Sequence, residues 1–249
     1  MKTRVIPVIL TDGQTVVKGE KFNNWRTVGS AKAIARLFSH RNVDEIVFLD
    51  VTARNRRTCI DFELITEFSE ILQVPFSVGG GVSSMQEFSQ CIRAGAEKVV
   101  LGTSAIENPQ LISDAAQEFG SQAVVVSVEA GLSVEDKTTI YSGSRVSDLS
   151  TLEVVELVEE KGAGELLIQS PSRDGVMGGL NLDLIAQVCE RTQLPLIASG
   201  GVGSLNDFLA VAKLGVSGVA AGAIFQFTEI TPTSVRNFLR DSGIDVRTT

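Results

Sequence analysis

The chain has 249 residues, 43% of them hydrophobic, which is enough for one large core and for an α/β barrel in a single domain. A net charge of −8 argues against broad nucleic-acid binding but leaves room for a local basic patch that holds phosphate. The only histidine, His40, is too little for a histidine-based triad or a multi-histidine zinc site, and Cys59, Cys91 and Cys189 lack metal-ligand spacing and read as reduced thiols of a cytoplasmic protein.

The first residues, "MKTRVIPVIL", enter a strand without a small-residue cleavage site, so no signal peptide is expected. No apolar run nears the roughly 20 residues of a membrane helix, so no membrane span is expected. Arg4–Leu10 reads as a buried strand closed by a Thr-Asp-Gly turn, and a helix follows at Ala31–His40. Next come strand Glu45–Asp50 and helix Phe62–Leu72, then strand Phe76–Gly79 and helix Ser84–Ala94. Strand Lys98–Leu101 and helix Pro109–Phe119 complete the first half. The second half reads as strand Ala123–Glu129, helix Leu152–Glu160, strand Glu165–Ile168 and helix Leu182–Thr192. Strand Leu196–Ala198, helix Leu205–Leu214, strand Gly218–Ala221 and helix Ser234–Ser242 follow. Eight strands alternating with eight helices predict a parallel sheet, and at this length a closed (β/α)8 TIM barrel in one domain, residues 1–249.

The halves resemble each other. "QVPFSVGGGVSSMQEF" (73–88) and "QLPLIASGGVGSLNDF" (193–208) align without a gap at an offset of 120 residues, which also places Glu45 on Glu165 and Gly102 on Gly222. This points to two half-barrels, about 1–120 and 121–249, with equivalent sites.

In each half, glycines end one strand and a glycine turn ends the next. Gly80 and Gly81 go with Gly102, Thr103 and Ser104, and Ser199, Gly200 and Gly201 go with Gly222 and Ala223. Glycine lets backbone approach a ligand closely, and a following helix start presents free N–H groups. Barrels of this kind commonly bind phosphate after strands seven and eight, where the second set falls. A ligand with a phosphate at each end fits both sets, with hydroxyls of Thr103, Ser104 and Ser199 as further donors. Gly175 joins them as a phosphate-side candidate.

"KGEKFNNWR", "VDEIVFLDVTA", "PFSVGGGV", "GAEKVV", "EFGSQAVVVSVEA", "GAGELLIQSPSRDG" and "PLIASGGVGS" together resemble the cyclase subunit of imidazole glycerol phosphate synthase, from about residue 4 to the end. That family receives ammonia from a partner glutaminase through the barrel, then uses it to cleave and cyclise a bisphosphorylated substrate. The resemblance implies an ammonia gate of Arg4, Glu45, Lys98 and Glu165 at the strand starts. It also implies two aspartates at the mouth as acid and base. The second falls on Glu129. The first falls on Leu10, and the ungapped spacing does not allow Asp12 to replace it. Where the family has "SIDRDG" this chain has "SPSRDG", which keeps Asp174, loses an acid at Ser172 and puts Gln169 at a position usually given to threonine.

Lys18, Asp50, Glu129 and Asp174 remain the candidate catalytic residues. The resemblance calls for no metal or organic cofactor. The reading it favours is an ammonia-supplying subunit, paired with a glutaminase, in amidation of a sugar for surface polysaccharide, with an ATP-dependent amidotransferase performing the transfer. The alternatives are a working histidine-pathway cyclase, and a non-catalytic scaffold that binds a phosphorylated ligand.

Overall fold

The computed structural model describes residues 2–41, 43–53, 55–131, 136–140 and 145–247. In chain order the strands are β1 (Arg4–Asp12), β2 (Thr15–Glu20), β3 (Asn23–Ser30), β4 (Ile46–Asp50), β5 (Phe76–Gly79) and β6 (Lys98–Leu101). They continue with β7 (Val124–Glu129), β8 (Lys137–Ile140), β9 (Arg145–Ser150), β10 (Glu165–Gln169), β11 (Leu196–Ser199) and β12 (Gly218–Ala221). The helices are α1 (Ala31–Ser39), α2 (Phe62–Ile71), α3 (Met85–Arg93), α4 (Thr103–Glu107) and α5 (Gln110–Phe119). After them come α6 (Thr151–Glu160), α7 (Leu182–Arg191), α8 (Leu205–Ala212), α9 (Ala223–Phe227) and α10 (Pro232–Asp241).

Eight strands pair in parallel in the order β10-β11-β12-β1-β4-β5-β6-β7, and pairing of β10 with β7 closes the barrel. Near-continuous apolar runs form these strands because both faces are buried. Ile6, Val47, Val125, Leu167 and Ile197 fill the interior. The alternate residues, such as Val5, Ile9, Phe48 and Val126, pack outward into the larger core beneath the helices. There Phe48 stacks on Phe68 with ring centroids 3.9 Å apart.

The helices start where the sequence supplies caps. Ser84 with Glu87, Ser150 with Glu153 and Ser204 with Asp207 form reciprocal capping boxes at α3, α6 and α8. Pro232 begins α10, two residues before the expected start, because proline suits the first helical turn. At the amino-terminal face Thr3 bridges to Val246 in parallel, and Thr3 N donates to Asp245 O at 2.8 Å.

The structure corrects the sequence reading in three places. β1 runs on to Asp12, so Thr11 and Asp12 are strand residues and the turn lies at Gly13–Gln14. Each half also carries an antiparallel hairpin that the alternation did not disclose, β2–β3 on β1 and β8–β9 on β7. Short helices α4 and α9 follow the glycine turns at Gly102 and Gly222. Among the described residues no helix is long and apolar enough to cross a membrane.

Candidate functional site

A cavity of about 1210 Å³, open mouth included, lies at the carboxyl ends of the strands. The β2–β3 hairpin reaches over it. Lys21 N donates to Asp174 O at 2.8 Å, and a Cβ on Gly175 would come within 2.2 Å of Gly19 O, so the two segments touch backbone to backbone. Phe22 and Trp25 of this arm line the cavity.

The arm buries Lys18, whose Nζ lies 3.5 Å from Val8 O. A Cβ on Gly222 would stand 2.2 Å from that Nζ, so the glycine makes the room the ammonium occupies. Burial pushes the Lys18 ammonium down to about 8, with Asp174 pulling the other way. Burial likewise raises the Asp174 carboxyl, and Lys18 opposes it. The two groups therefore sit in one desolvated corner, each moved toward its neutral form.

Glu129 ends β7 and lines the same cavity, and Thr139 Oγ1 donates to its Oε2 at 2.9 Å. Leu10 lies on the opposing half. It is 6% exposed and packs with Val8, Val17 and Val47, with Leu49, Val51 and Trp25 against the same cluster. The position where the resemblance expects an acid thus belongs to an apolar wall.

Asp50 also borders the cavity, but its carboxylate is fully engaged within the chain. Oδ1 accepts from Thr52 N (3.0 Å), Thr52 Oγ1 (3.1 Å) and Ala53 N (2.9 Å). Oδ2 accepts from Gly13 N (3.3 Å) and Arg56 Nη2 (2.7 Å). A carboxylate with five donors and 1% side-chain exposure anchors the loops after β1 and β4 and is poorly placed to exchange protons. Arg56 Nη1 also pairs with Asp12 at 2.6 Å, which ties Asp12 to the rim.

The glycine sets border the cavity as expected, with Gly80, Gly81, Thr103 and Ser104 in the first half and Ser199, Gly200, Gly201, Gly222 and Ala223 in the second. Gly81 (φ +71°) and Gly201 (φ +107°) occupy backbone regions that L side chains rarely adopt. A Cβ would come within 2.1 Å of Thr58 O at the first and 2.4 Å of Gly179 O at the second. Ser104 Oγ, expected as a ligand donor, instead donates to Val82 O at 2.6 Å.

At the opposite end of the barrel four charges form a ring. Arg4 pairs with Glu45 at 2.5 Å and with Glu165, while Lys98 reaches Glu45 at 3.0 Å and Glu165 at 2.8 Å. Burial works against the Arg4 cation, but Glu165 and Glu45 outweigh it and hold the guanidinium above its ordinary range. Ser77 Oγ adds a 2.7 Å bond to Glu45 Oε1, and Arg4 Nε donates to Ser217 O at 3.2 Å.

Sequence reasoning missed Thr139, Ser77, Ser217, Trp25 and Ser127. A hydroxyl in a strand carries no signal of its own. Ser127 could have been found from inward alternation, since it lies two residues from the interior position Val125.

Chain closure, a ligand-sized mouth at the carboxyl ends and a buried charge ring at the amino ends define a (β/α)8-barrel protein with a small-molecule site. The chain belongs to the Histidine biosynthesis protein family, whose signature matches residues 4–231. It is similar over its whole length to proteins named imidazole glycerol phosphate synthase subunit HisF. That of Dictyoglomus turgidum is 40% identical over 246 residues, covering 98% of both chains. That of Thermobifida fusca is 37% identical over 254 residues, covering 99% of both. That of Streptococcus mutans is 36% identical over 252 residues, covering 99% of this chain and 100% of its own.

Proposed function

We propose that this chain is the barrel subunit of a glutamine-dependent system, receives ammonia from a glutaminase at the ring of Arg4, Glu45, Lys98 and Glu165, and releases it at the mouth for amidation of a sugar. The observation that carries this reading is Leu10, buried in an apolar wall where the cyclase resemblance requires an acid. Leucine has no proton to transfer, and loss of one member of an acid–base pair costs roughly 10²- to 10⁴-fold in rate. The ring and both glycine sets are meanwhile present. Between ring and mouth the interior is apolar, which favours neutral ammonia over ammonium.

In this reading an ATP-dependent amidotransferase performs the transfer to the sugar of a surface polysaccharide. Lys18, Glu129 and Asp174 orient the ligand, the glycine sets hold its phosphate, and Asp50 keeps the rim in place. The 249 residues act as one domain of two half-barrels, 1–120 and 121–249, in the cytoplasm.

A second reading is favoured by the full-length identity of 36–40% to HisF proteins and by the carboxylate kept at Glu129, namely a working cyclase of histidine biosynthesis. One assay separates the two. Purified protein is given ammonium salt and the bisphosphorylated ribulosyl-formimino carboxamide substrate, and release of the aminoimidazole carboxamide ribotide is followed. The amidation reading expects no turnover by the native chain and measurable turnover by Leu10→Asp. Native turnover on the order of 1 s⁻¹ or more gives the cyclase reading instead.

A further inference from the structure

The floor of the mouth is divided by chemistry along the two halves of the barrel. From β1 and β4 it receives Leu10 and Leu49, with Trp25 of the hairpin arm packed beside them. From β7, β10 and β11 it receives Ser127, Glu129, Gln169 and Ser199. Strand register makes the second group one continuous arc. Gln169 pairs with Glu129 across β10 and β7, and with Ser199 across β10 and β11, while Ser127 stands one inward position below Glu129. Gln169 is 8% and Ser199 7% exposed and Ser127 is half-buried, and among the described residues these side chains make no hydrogen bond within the chain while their polar atoms stay open to the cavity. These three face the cavity, where they are free to bond a ligand.

We infer that the mouth binds a cyclic sugar phosphate, with the C–H face of the ring on Leu10, Leu49 and Trp25 and its hydroxyl edge on Ser127, Gln169 and Ser199. A pyranose or furanose ring is amphipathic in this way, with axial hydrogens on a face and hydroxyls around the edge. An open-chain phosphate has no such face. The phosphate goes to the corner of Lys18 and Gly222, where the buried cation has no carboxylate within ion-pair distance among the described residues. An acid at position 10 would put charge under the sugar face, so leucine is the residue this arrangement calls for. The inference rests on the sugar-amidation reading and narrows it to a ligand that enters the barrel itself.

The chain's one tryptophan, Trp25, lies against the site, so its emission reports where a ligand binds. Calorimetric affinities and Trp25 emission are measured with glucose 1-phosphate, glycerol 3-phosphate and inorganic phosphate. Glucose 1-phosphate is expected to bind at least tenfold tighter than the other two and to change the emission. Gln169→Leu is expected to remove that preference while inorganic phosphate binds as before, with Ser127→Ala as the second variant should the first not fold. Equal affinity for glucose 1-phosphate and glycerol 3-phosphate overturns the inference, as does a preference that survives both substitutions. Ammonia passage through the native barrel, with a glutaminase supplying it, is read separately. Passage without sugar-phosphate preference defeats this inference alone, and preference without passage defeats the ammonia reading alone.

Discussion

Thr139 holds Glu129 from a strand that does not belong to the barrel, its hydroxyl donating to Oε2 at 2.9 Å from the β8–β9 hairpin. The bond ties the hairpin to the barrel mouth. Thr139→Val is therefore expected to cost about 1 kcal/mol of stability, the ordinary net worth of such a hydrogen bond. Thr139→Ser should restore it. Urea unfolding of the native chain and the two variants measures the loss, and an unchanged midpoint in Thr139→Val refutes the contact.

The charge ring predicts an asymmetry between single and double substitutions. Glu45 serves Arg4, Lys98 and Ser77 at once, with a side chain only 3% exposed. Glu45→Ala leaves two part-buried cations short of a partner and should cost about 3–5 kcal/mol in urea unfolding. Replacing Glu45 and Lys98 together by leucine should cost less than Glu45→Ala alone, because no orphaned charge remains on that side.

Lys18 sets a pH dependence whose sign is opposite to that of an ion-paired lysine. Its folded-state pKa, about 8, lies below the ordinary 10.5, so between these values the unfolded chain binds more protons and stability rises with pH. The rise should be on the order of 3 kcal/mol and absent in Lys18→Met. Asp174 acts the other way in acid. Its raised carboxyl makes the native state bind more protons, so its contribution is full below the ordinary carboxylate pKa and is lost as pH climbs from there through the raised folded-state pKa. Chemical unfolding at stepped pH, native against Lys18→Met and Asp174→Asn, reads both slopes.

Asp50 separates anchoring from chemistry. Asp50→Asn keeps the shape but weakens the bonds from Arg56 and the amides of Gly13, Thr52 and Ala53. A loss of about 2–3 kcal/mol of stability is expected, since hydrogen bonds to charged groups are worth roughly 1.5–3 kcal/mol each. Any turnover found in Leu10→Asp should keep the shape of its pH profile when Asp50→Asn is added. A profile that moves would return Asp50 to the acid–base machinery.

The barrel strands were legible because they are buried on both faces, and apolar runs such as those of β4 and β10 mark that condition. The two hairpins were not. They lie over the barrel, so their residues are mixed, and β3 is largely exposed. The turn of β2–β3 also hides its nature, since Lys21 (φ 52°) and Phe22 (φ 57°) adopt a left-handed pair that ordinarily advertises itself by Asn-Gly. Lys18 and Asp174 were identified as mouth residues from motifs alone, but the burial that shifts both depends on how the arm settles. For Asp50 the motif gave the place and not the use, because its five donors come from residues 13, 52, 53 and 56. The polar arc escaped notice for a similar reason, since strand register rather than sequence spacing makes Gln169 a neighbour of both Glu129 and Ser199.

The bridge between Thr3 and Val246 bears on how the polypeptide can be rewired. With both ends of the described chain side by side, a short linker joining them would let the backbone be cut elsewhere. Gly120, at φ +86° after α5 and ahead of β7, offers a place to cut. A circular permutant opened there would present residues 121–247 before 2–120 and lose no strand pairing, since β6 and β7 meet through their ladder and not only through the connecting peptide. A permutant that still closed would show that the barrel can be assembled from either end of the chain.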